Sequence, residues 1–266
     1  MKFLSFLICA FFFFNSLLAK PRELSLPANI LAIGPEFYHL ERTRSGGSFQ
    51  HGEIIGVRAN YDHIKRYKFY WGVQGLYAYG ILNGEGAKRK DGSKRAKLRS
   101  QWTDEMIEGN LGYTFQCKNS PYFSFTPYAG YGYFREVNKF ISPSPLHVKF
   151  ATVFDYFTCG FLSSAVVAPG WKVGLNARYR EPYDLKCKIS DDPEIDDWNQ
   201  RIGPSFQYRI ELPIVYNPYF ECWSFEFQIM PFYEQRNYGE WKNYPCDYPE
   251  TKIEIYGFNL QVLYLF

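Results

Sequence analysis

The sequence has 266 residues, and its formal net charge of +3 is too small to indicate nucleic acid as a partner. Tyrosine and phenylalanine are abundant, at 23 and 25 copies, and aromatic residues at this density are typical of β-strands. Beyond the N-terminal segment, no apolar run approaches the ~18 residues of a membrane-spanning helix, which excludes a helical membrane protein.

The first 19 residues have the pattern of a secretory signal peptide. Lys2 supplies the positive charge, an apolar run follows from Phe3 to Phe14, and Ala19 precedes the expected cleavage site. A transmembrane anchor is the alternative, but the apolar run is short compared with the ~20 residues that such a helix needs. We therefore expect residues 20–266 to form the mature domain.

Alternation of apolar and polar residues with a period of two recurs along the rest of the chain, and this pattern predicts β-strands. In chain order, the predicted strands are Ile30–Glu41, Phe49–Asp62, Tyr67–Gly80, Gln101–Gln116, Phe123–Glu136, Lys149–Ser163, Trp171–Tyr183, Gln200–Leu212, Trp223–Glu234 and Thr251–Phe266. In the sixth strand both faces are apolar, and Asp155 alone marks an inner face. Short and long connections alternate between the strands. We therefore predict an all-β fold, a single antiparallel up-and-down transmembrane β-barrel of about ten strands, with eight or twelve as alternatives.

The last strand carries a second signal. One of its faces is entirely apolar or aromatic and consists of Tyr256, Phe258, Leu260, Val262, Tyr264 and Phe266. This ending resembles the C-terminal strand of bacterial outer-membrane β-barrels, which finish on an aromatic residue with apolar or aromatic residues two and four places before it. With the signal peptide and the loop pattern, the chain resembles small outer-membrane barrels of the OmpA-like, ten-stranded class. A soluble barrel such as a lipocalin is the structural alternative.

The resemblance implies a location and partners. Val262, Tyr264 and Phe266 would form the assembly signal, the barrel-assembly machinery would be a partner, and the barrel would contact the lipid bilayer and lipopolysaccharide. An even number of strands places both termini in the periplasm and the long loops outside the cell.

The polar faces of the predicted strands should line the lumen. The expected inward positive charges are Arg58, Lys68, Lys172, Arg178, Arg180, Arg201 and Arg209, and the negative ones are Glu36, Asp104, Glu108, Asp155, Glu211, Glu226 and Glu234. A narrow barrel is largely filled by side chains, and an unpaired buried charge is costly. We therefore expect these charges to pair and plug the lumen. The alternative is a narrow pore or small-ligand carrier lined by the same residues.

Two of the long connections are strongly charged. The second carries seven cations, Lys88, Arg89, Lys90, Lys94, Arg95, Lys97 and Arg99, and the fourth carries Asp191, Asp192, Glu194, Asp196 and Asp197. We expect the basic loop to bind polyanions such as lipopolysaccharide phosphates or host sulphated glycans. A solvated flexible loop is the alternative. The acidic loop lacks the glycine-bearing spacing of an EF-hand, so no metal or other cofactor is expected.

The positions of the cysteines and histidines limit which disulfides and which catalytic sites the chain could form. Cys187 and Cys246 lie in the fourth and fifth long connections, within reach of a disulfide. Omptin proteases are also ten-stranded barrels, and their site pairs acidic residues near the second loop with an Asp-His pair across the barrel mouth. In this chain the fourth loop has no histidine, and His51 near Ser48 is the one Ser-His candidate. We therefore expect a structural or adhesive protein rather than an enzyme.

Overall fold

A computed structural model describes residues 29–86, 95–116, 122–193, 196–217, 224–242 and 247–266. The expected signal peptide lies outside these residues. Ten barrel strands follow in chain order: β1 Asn29–Arg44, β2 Phe49–His63, β3 Phe69–Glu85, β4 Lys97–Tyr113, β5 Phe123–Phe140, β6 Lys149–Ala168, β7 in two pieces Trp171–Val173 and Asn176–Ser190, β8 in three pieces Trp198–Arg201, Gly203–Glu211 and Ile214–Tyr216, β9 Phe225–Gly239, and β10 Thr251–Leu265. Phe115–Gln116 forms a short additional strand after β4.

The strands close into one antiparallel barrel. Each pairs with its sequence neighbours, and β10 pairs with β1 from Leu265 opposite Ile30 to Thr251 opposite Arg44. At the seam, the amides of Asn29 and Phe266 each donate to the other residue's carbonyl oxygen at 3.1 Å. Closure leaves no edge strand exposed for aggregation. The prediction of a ten-stranded up-and-down barrel is confirmed.

The outer surface carries an apolar belt with aromatic borders. We call the end with both chain termini and the short turns the terminal end, and the opposite end the loop end. Exposed aromatic residues near the terminal end are Phe69, Trp71, Phe123, Trp171, Tyr216, Phe225 and Phe266, and those nearer the loop end are Tyr77, Tyr79, Tyr131, Tyr133, Tyr183 and Tyr256. Exposed aliphatic residues lie between them, which is the surface of a membrane barrel. No helix in the described part of the chain is long and apolar enough to cross a membrane.

Two bulges change which residues face the lumen. In β7, Asp184 has a φ of 48°, and the pairing with β6 shifts there by one residue. Arg180 therefore points inward before the bulge, and Leu185 points inward after it. In β8 the pairing with β9 shifts between Gly203 and Ser205. An irregularity of this kind reverses the alternation of inner and outer residues.

Three of the predicted lumen charges are not in the lumen. Arg201 is exposed, because the β8 bulge reverses the alternation from which its inward position was predicted. Lys68 is exposed in the turn just before β3 begins. Asp155 lies on the outer face of β6, because Phe154 and Tyr156 fill the inner face, where they are 2% and 0% exposed. The other predicted lumen charges face inward.

Candidate functional site

A closed ring of polar side chains crosses the middle of the lumen. Its members, in order around the ring, are Glu36, Arg58, Gln74, Glu108, Arg180, Glu234 and Arg209. Neighbouring members are joined by hydrogen bonds of 2.5–3.2 Å, except for Arg180 and Glu234, whose closest atoms are 3.6 Å apart. The three arginines balance the three glutamates. We call this set the charge ring, and its six charged members are among the residues that were expected to line the lumen.

A second polar layer lies on the loop-end side of the charge ring. Arg236 donates two hydrogen bonds to Asp104, at 3.0 and 3.1 Å, and one to Glu136 at 3.2 Å. The hydroxyls of Tyr38 and Tyr238 donate to Asp104 and Glu136, respectively. Arg236 and Glu136 were not among the predicted lumen charges, and Arg236 lay in a predicted loop. The signal was present, because Arg236 continues the inward alternation that includes Glu234.

An apolar core fills the lumen at the loop end. Its most buried members, each at most 6% exposed, include Leu40, Leu82, Leu98, Phe140, Ile189 and Ile253. We call this core the apolar plug. It was not predicted, because the sequence analysis attributed closure of the lumen to charges alone. A small buried polar cluster accompanies this core, in which Arg42 donates to Gln50 at 3.0 Å and Gln50 donates to Ser100 at 2.8 Å.

Residues at the end of β1, at the start of β6 and in the connection before β10 pack together beside the plug. The guanidinium of Arg44 lies 5.1 Å from the ring centre of Phe150 and 5.8 Å from that of Tyr248. Tyr248 is 2% exposed and is held by backbone hydrogen bonds to Trp241. Tyr248 lies in the connection before β10, outside the membrane-spanning strands, and burial raises the pKa of its hydroxyl. The plug is therefore in contact with an uncharged tyrosine at this end.

At the terminal end the lumen widens into a cavity of about 180 Å³. We call it the terminal chamber. Its polar wall includes Asp62, Tyr70, Tyr128, Arg178, Lys172 and Glu226. Tyr70 donates to Asp62 at 2.7 Å, and Arg178 donates through Nε to the Tyr128 hydroxyl at 3.0 Å. Lys172 pairs with Glu226 at 2.5 Å. The two halves of the lumen are therefore chemically different.

The charged connections are only partly within the described residues. Lys88, Arg89, Lys90 and Lys94 lie outside them, whereas Lys97 and Arg99 are exposed on the outer face of β4. Arg95 donates to the carbonyl of Gly47 at 3.1 Å. In the fourth connection, Asp191 lies 3.5 Å from Lys139, and Asp197 lies 2.9 Å from Lys188. These two acidic residues thus pair with lysines of the neighbouring strands β5 and β7.

Within the described ranges, the cysteines and histidines do not converge on a site. Cys187 is buried and forms no disulfide within the described part of the chain, and Cys246 lies outside it, so that pairing stays a prediction. His39 lies on the outer surface, 2.7 Å from Glu53 and close to His51. Across the residues that the structure describes, no group of three or more His, Cys, Asp or Glu side chains could hold a metal ion.

No protein-family model matches the sequence, and no curated protein sequence matches it either. Among solved structures, the outer membrane protease OmpT from Escherichia coli aligns with a TM-score of 0.60 and 14% identity, over 91% of this chain and 99% of that chain. This chain has the outer-membrane β-barrel fold. The translocator domain of the autotransporter NalP from Neisseria meningitidis gives a TM-score of 0.48 at 8% identity, over 95% and 91% of the two chains. The attachment invasion locus protein Ail of Yersinia pestis gives 0.30 at 9%, over 89% and 99%.

At this low identity the likeness to OmpT concerns the fold, and residue roles are not transferred. The omptin arrangement requires acidic residues near the second long loop. Here the inward residues beside that loop are Leu82 and Leu98, and those beside the fourth loop include Leu185 and Ile189. These four residues belong to the apolar plug.

Proposed function

We propose that this protein is a bacterial outer-membrane barrel that acts as a structural or adhesive surface protein through its loop end, without catalysis. Its termini lie in the periplasm and its long connections outside the cell. The observation that carries the proposal is the closed lumen, in which the charge ring and the apolar plug lie in series. A conducting path would require both layers to open. The plug would lose its packing, and the ring would lose paired buried charges.

Solute transport is the competing function, and conductance distinguishes the two. We expect the refolded barrel to give no steady single-channel current in planar bilayers, with a sixteen-stranded porin as the positive control. The lumens of sixteen-stranded porins are open aqueous channels, whereas the lumens of small barrels are filled by side chains. A steady current of porin size from the wild-type protein would reject the closed-lumen proposal and favour the transporter.

The adhesive role rests on the cations of the second connection. Seven lysines and arginines occur between Lys88 and Arg99, and of these Lys97 and Arg99 already project from the barrel surface. Lipopolysaccharide phosphates and sulphated host glycans are the polyanions that an exposed basic segment would meet outside a bacterium. Attraction of this kind is screened by salt, because the screening length falls from ~10 Å at 0.1 M to ~3 Å at 1 M.

A matched pair of triple variants tests that role. Replacing Lys88, Arg89 and Lys90 with serine should reduce heparin binding at low salt by about ten-fold or more, since each lost contact removes charge-assisted attraction. Replacing Lys65, Arg66 and Lys68 with serine makes the same charge change at the terminal end and should leave binding unchanged. Equal heparin binding by wild type and both variants in a solid-phase assay would reject adhesion through this loop.

A further inference from the structure

Four of the buried polar atoms that lack a hydrogen-bond partner in the described part of the chain belong to residues that line the terminal chamber. Arg178 Nη1, Gln261 Nε2, Asn110 Oδ1 and Asn60 Oδ1 are buried atoms with no hydrogen-bond partner among the described residues, and all four residues line this cavity. Leaving a buried polar group without a hydrogen-bond partner is energetically costly. Such atoms therefore call for an explanation in a native protein.

Neighbouring contacts fix the orientation of two of these side chains. The Nδ2 of Asn110 donates to Glu108 at 3.0 Å, so its Oδ1 is the free atom. The Oε1 of Gln261 accepts from Gln228 at 3.0 Å, so its Nε2 is the free atom. The chamber wall thus offers two unused donors and two unused acceptors. A ligand that satisfies them must carry both kinds of group.

Two charged side chains of opposite sign are incompletely paired in the same wall. Arg178 is 9% exposed and shares Glu108 with Arg180, which leaves Nη1 unused. Asp62 accepts a hydrogen bond from Tyr70 but has no cation within 4.0 Å in the described part of the structure. The other charges of the wall have their own partners, as in the pair between Lys172 and Glu226.

The two charged groups do not pair directly with each other, because no nitrogen of Arg178 lies within 4.0 Å of an Asp62 carboxylate oxygen. Asp62 instead accepts from the hydroxyl of Tyr70, and Arg178 donates to that of Tyr128. The charged groups of the wall balance, since Arg58, Lys172 and Arg178 face Asp62, Glu211 and Glu226. A lone anion or a lone cation would upset that balance, whereas a molecule with both charges would preserve it.

We propose that the terminal chamber binds a small zwitterion with separated charges, such as a short amino acid whose ammonium lies at the chain end. Its carboxylate accepts from Arg178 Nη1, and its ammonium donates to Asp62. The free amides of Gln261 and Asn110 complete the carboxylate and ammonium contacts. The cavity of about 180 Å³ is several times the ~30 Å³ that one water occupies in the liquid, so it accommodates a ligand of this size.

Three probes of one shape test the proposal on the full chain refolded in detergent. Calorimetric titration compares 4-aminobutyrate with butyrate and with butylammonium, each of which keeps the carbon chain and only one charge. We expect 4-aminobutyrate to bind about ten-fold or more tightly than either, because only it forms both charge-assisted contacts. No detectable binding of 4-aminobutyrate at millimolar concentration would mean a hydrated cavity and would overturn the proposal. Equal binding of all three probes would also overturn it.

Two matched variants test whether Asp62 binds the ammonium group of the ligand. Asp62→Asn removes one charge but keeps an oxygen for Tyr70, and it should weaken 4-aminobutyrate binding about ten-fold while butyrate binding stays unchanged. Asp155→Asn makes the same change on the outer face of β6 and should have no effect. Heat-modifiable gel mobility confirms that both variants fold. Unchanged 4-aminobutyrate binding in Asp62→Asn, or an equal loss in both variants, would contradict the assignment.

Discussion

The loop-end and terminal-end halves of the lumen are built from the same ten strands but differ in packing. At the loop end, Leu40 and Ile253 are fully buried in a packed core that also contains hydrogen-bonded polar residues such as Gln50. At the terminal end, a cavity has polar and partly unpaired walls. The charge ring separates the two halves. Strand alternation therefore determines which residues face inward, but it does not determine whether the inner space is packed or open.

The contrast depends partly on a single residue of β7. Before Asp184, the inward residues Arg178 and Arg180 serve the polar half, and after it Leu185 joins the plug. With regular alternation, Lys186 would point into the plug instead of outward. The bulge thus allows one strand to supply charges to one half of the lumen and hydrocarbon to the other.

The largest effect is expected where the two halves meet. Arg209→Met removes the partner that the charge ring shares between Glu36 and Glu234, and it also leaves Glu211 without its arginine. Removing one partner of a buried pair costs about 3–5 kcal/mol, because the remaining charges stay buried. The free energy of unfolding in urea, measured in phospholipid vesicles, should fall by this amount.

An exposed arginine of the same strand provides the control. Arg201→Met should change the unfolding free energy by no more than ~1 kcal/mol, because exposed ion pairs contribute little. Similar losses in both variants would show that the charge ring has no special role in stability.

The next largest loss of unfolding free energy is expected for a substitution in the apolar plug, at the loop end of the lumen. Leu40 is completely buried in the plug, so Leu40→Ala should leave a cavity and cost about 2–5 kcal/mol. Leu31→Ala, on the outer face of β1, creates no internal cavity and should cost less in the same urea titration. If the two alanine variants were equally stable, the loop-end core would be loosely packed, and the contrast between the halves would disappear.

The smallest loss of unfolding free energy is expected for substitutions at the β7 bulge. Asp184 has a left-handed φ of 48°, which a β-branched residue adopts poorly, so Asp184→Val should cost about 1–2 kcal/mol. Asp184→Gly suits this backbone and loses only the exposed pair with Lys186, so it should stay within ~1 kcal/mol of wild type. Urea unfolding of the two variants side by side decides the point, and a valine variant as stable as the glycine variant would refute the role of the backbone.

Periodicity predicted the barrel and most of its inner polar residues, because alternation is a local property of each strand. In β3 and β10, for example, the predicted faces are the observed ones. The bulges of β7 and β8 were not predictable, since they depend on register against neighbouring strands. Asp155 was misplaced because aromatic residues on both faces of β6 hide its orientation.

The apolar plug was hidden for a related reason. Leucine and isoleucine that fill an interior look the same in sequence as those that contact lipid. Alternation puts Leu40, which is 0% exposed, on the same inner face as Glu36, and Leu31, which is 45% exposed, on the outer face. It does not show that inner apolar residues from different strands pack together into a core. The terminal chamber depends on unpaired atoms from several strands, and no sequence pattern marks it.

The seam between β1 and β10 has a consequence for the order of folding. Asn29 and Phe266 bond across a separation of 237 residues, so closure must follow synthesis of all the intervening strands. Loop-closure entropy makes so distant a contact slow to form, and until then β1 keeps an unpaired edge. A chain released before β10 is made would therefore be a sheet with two open edges, which could pair with other chains and aggregate. A chaperone that shields the edge of β1 would delay this aggregation.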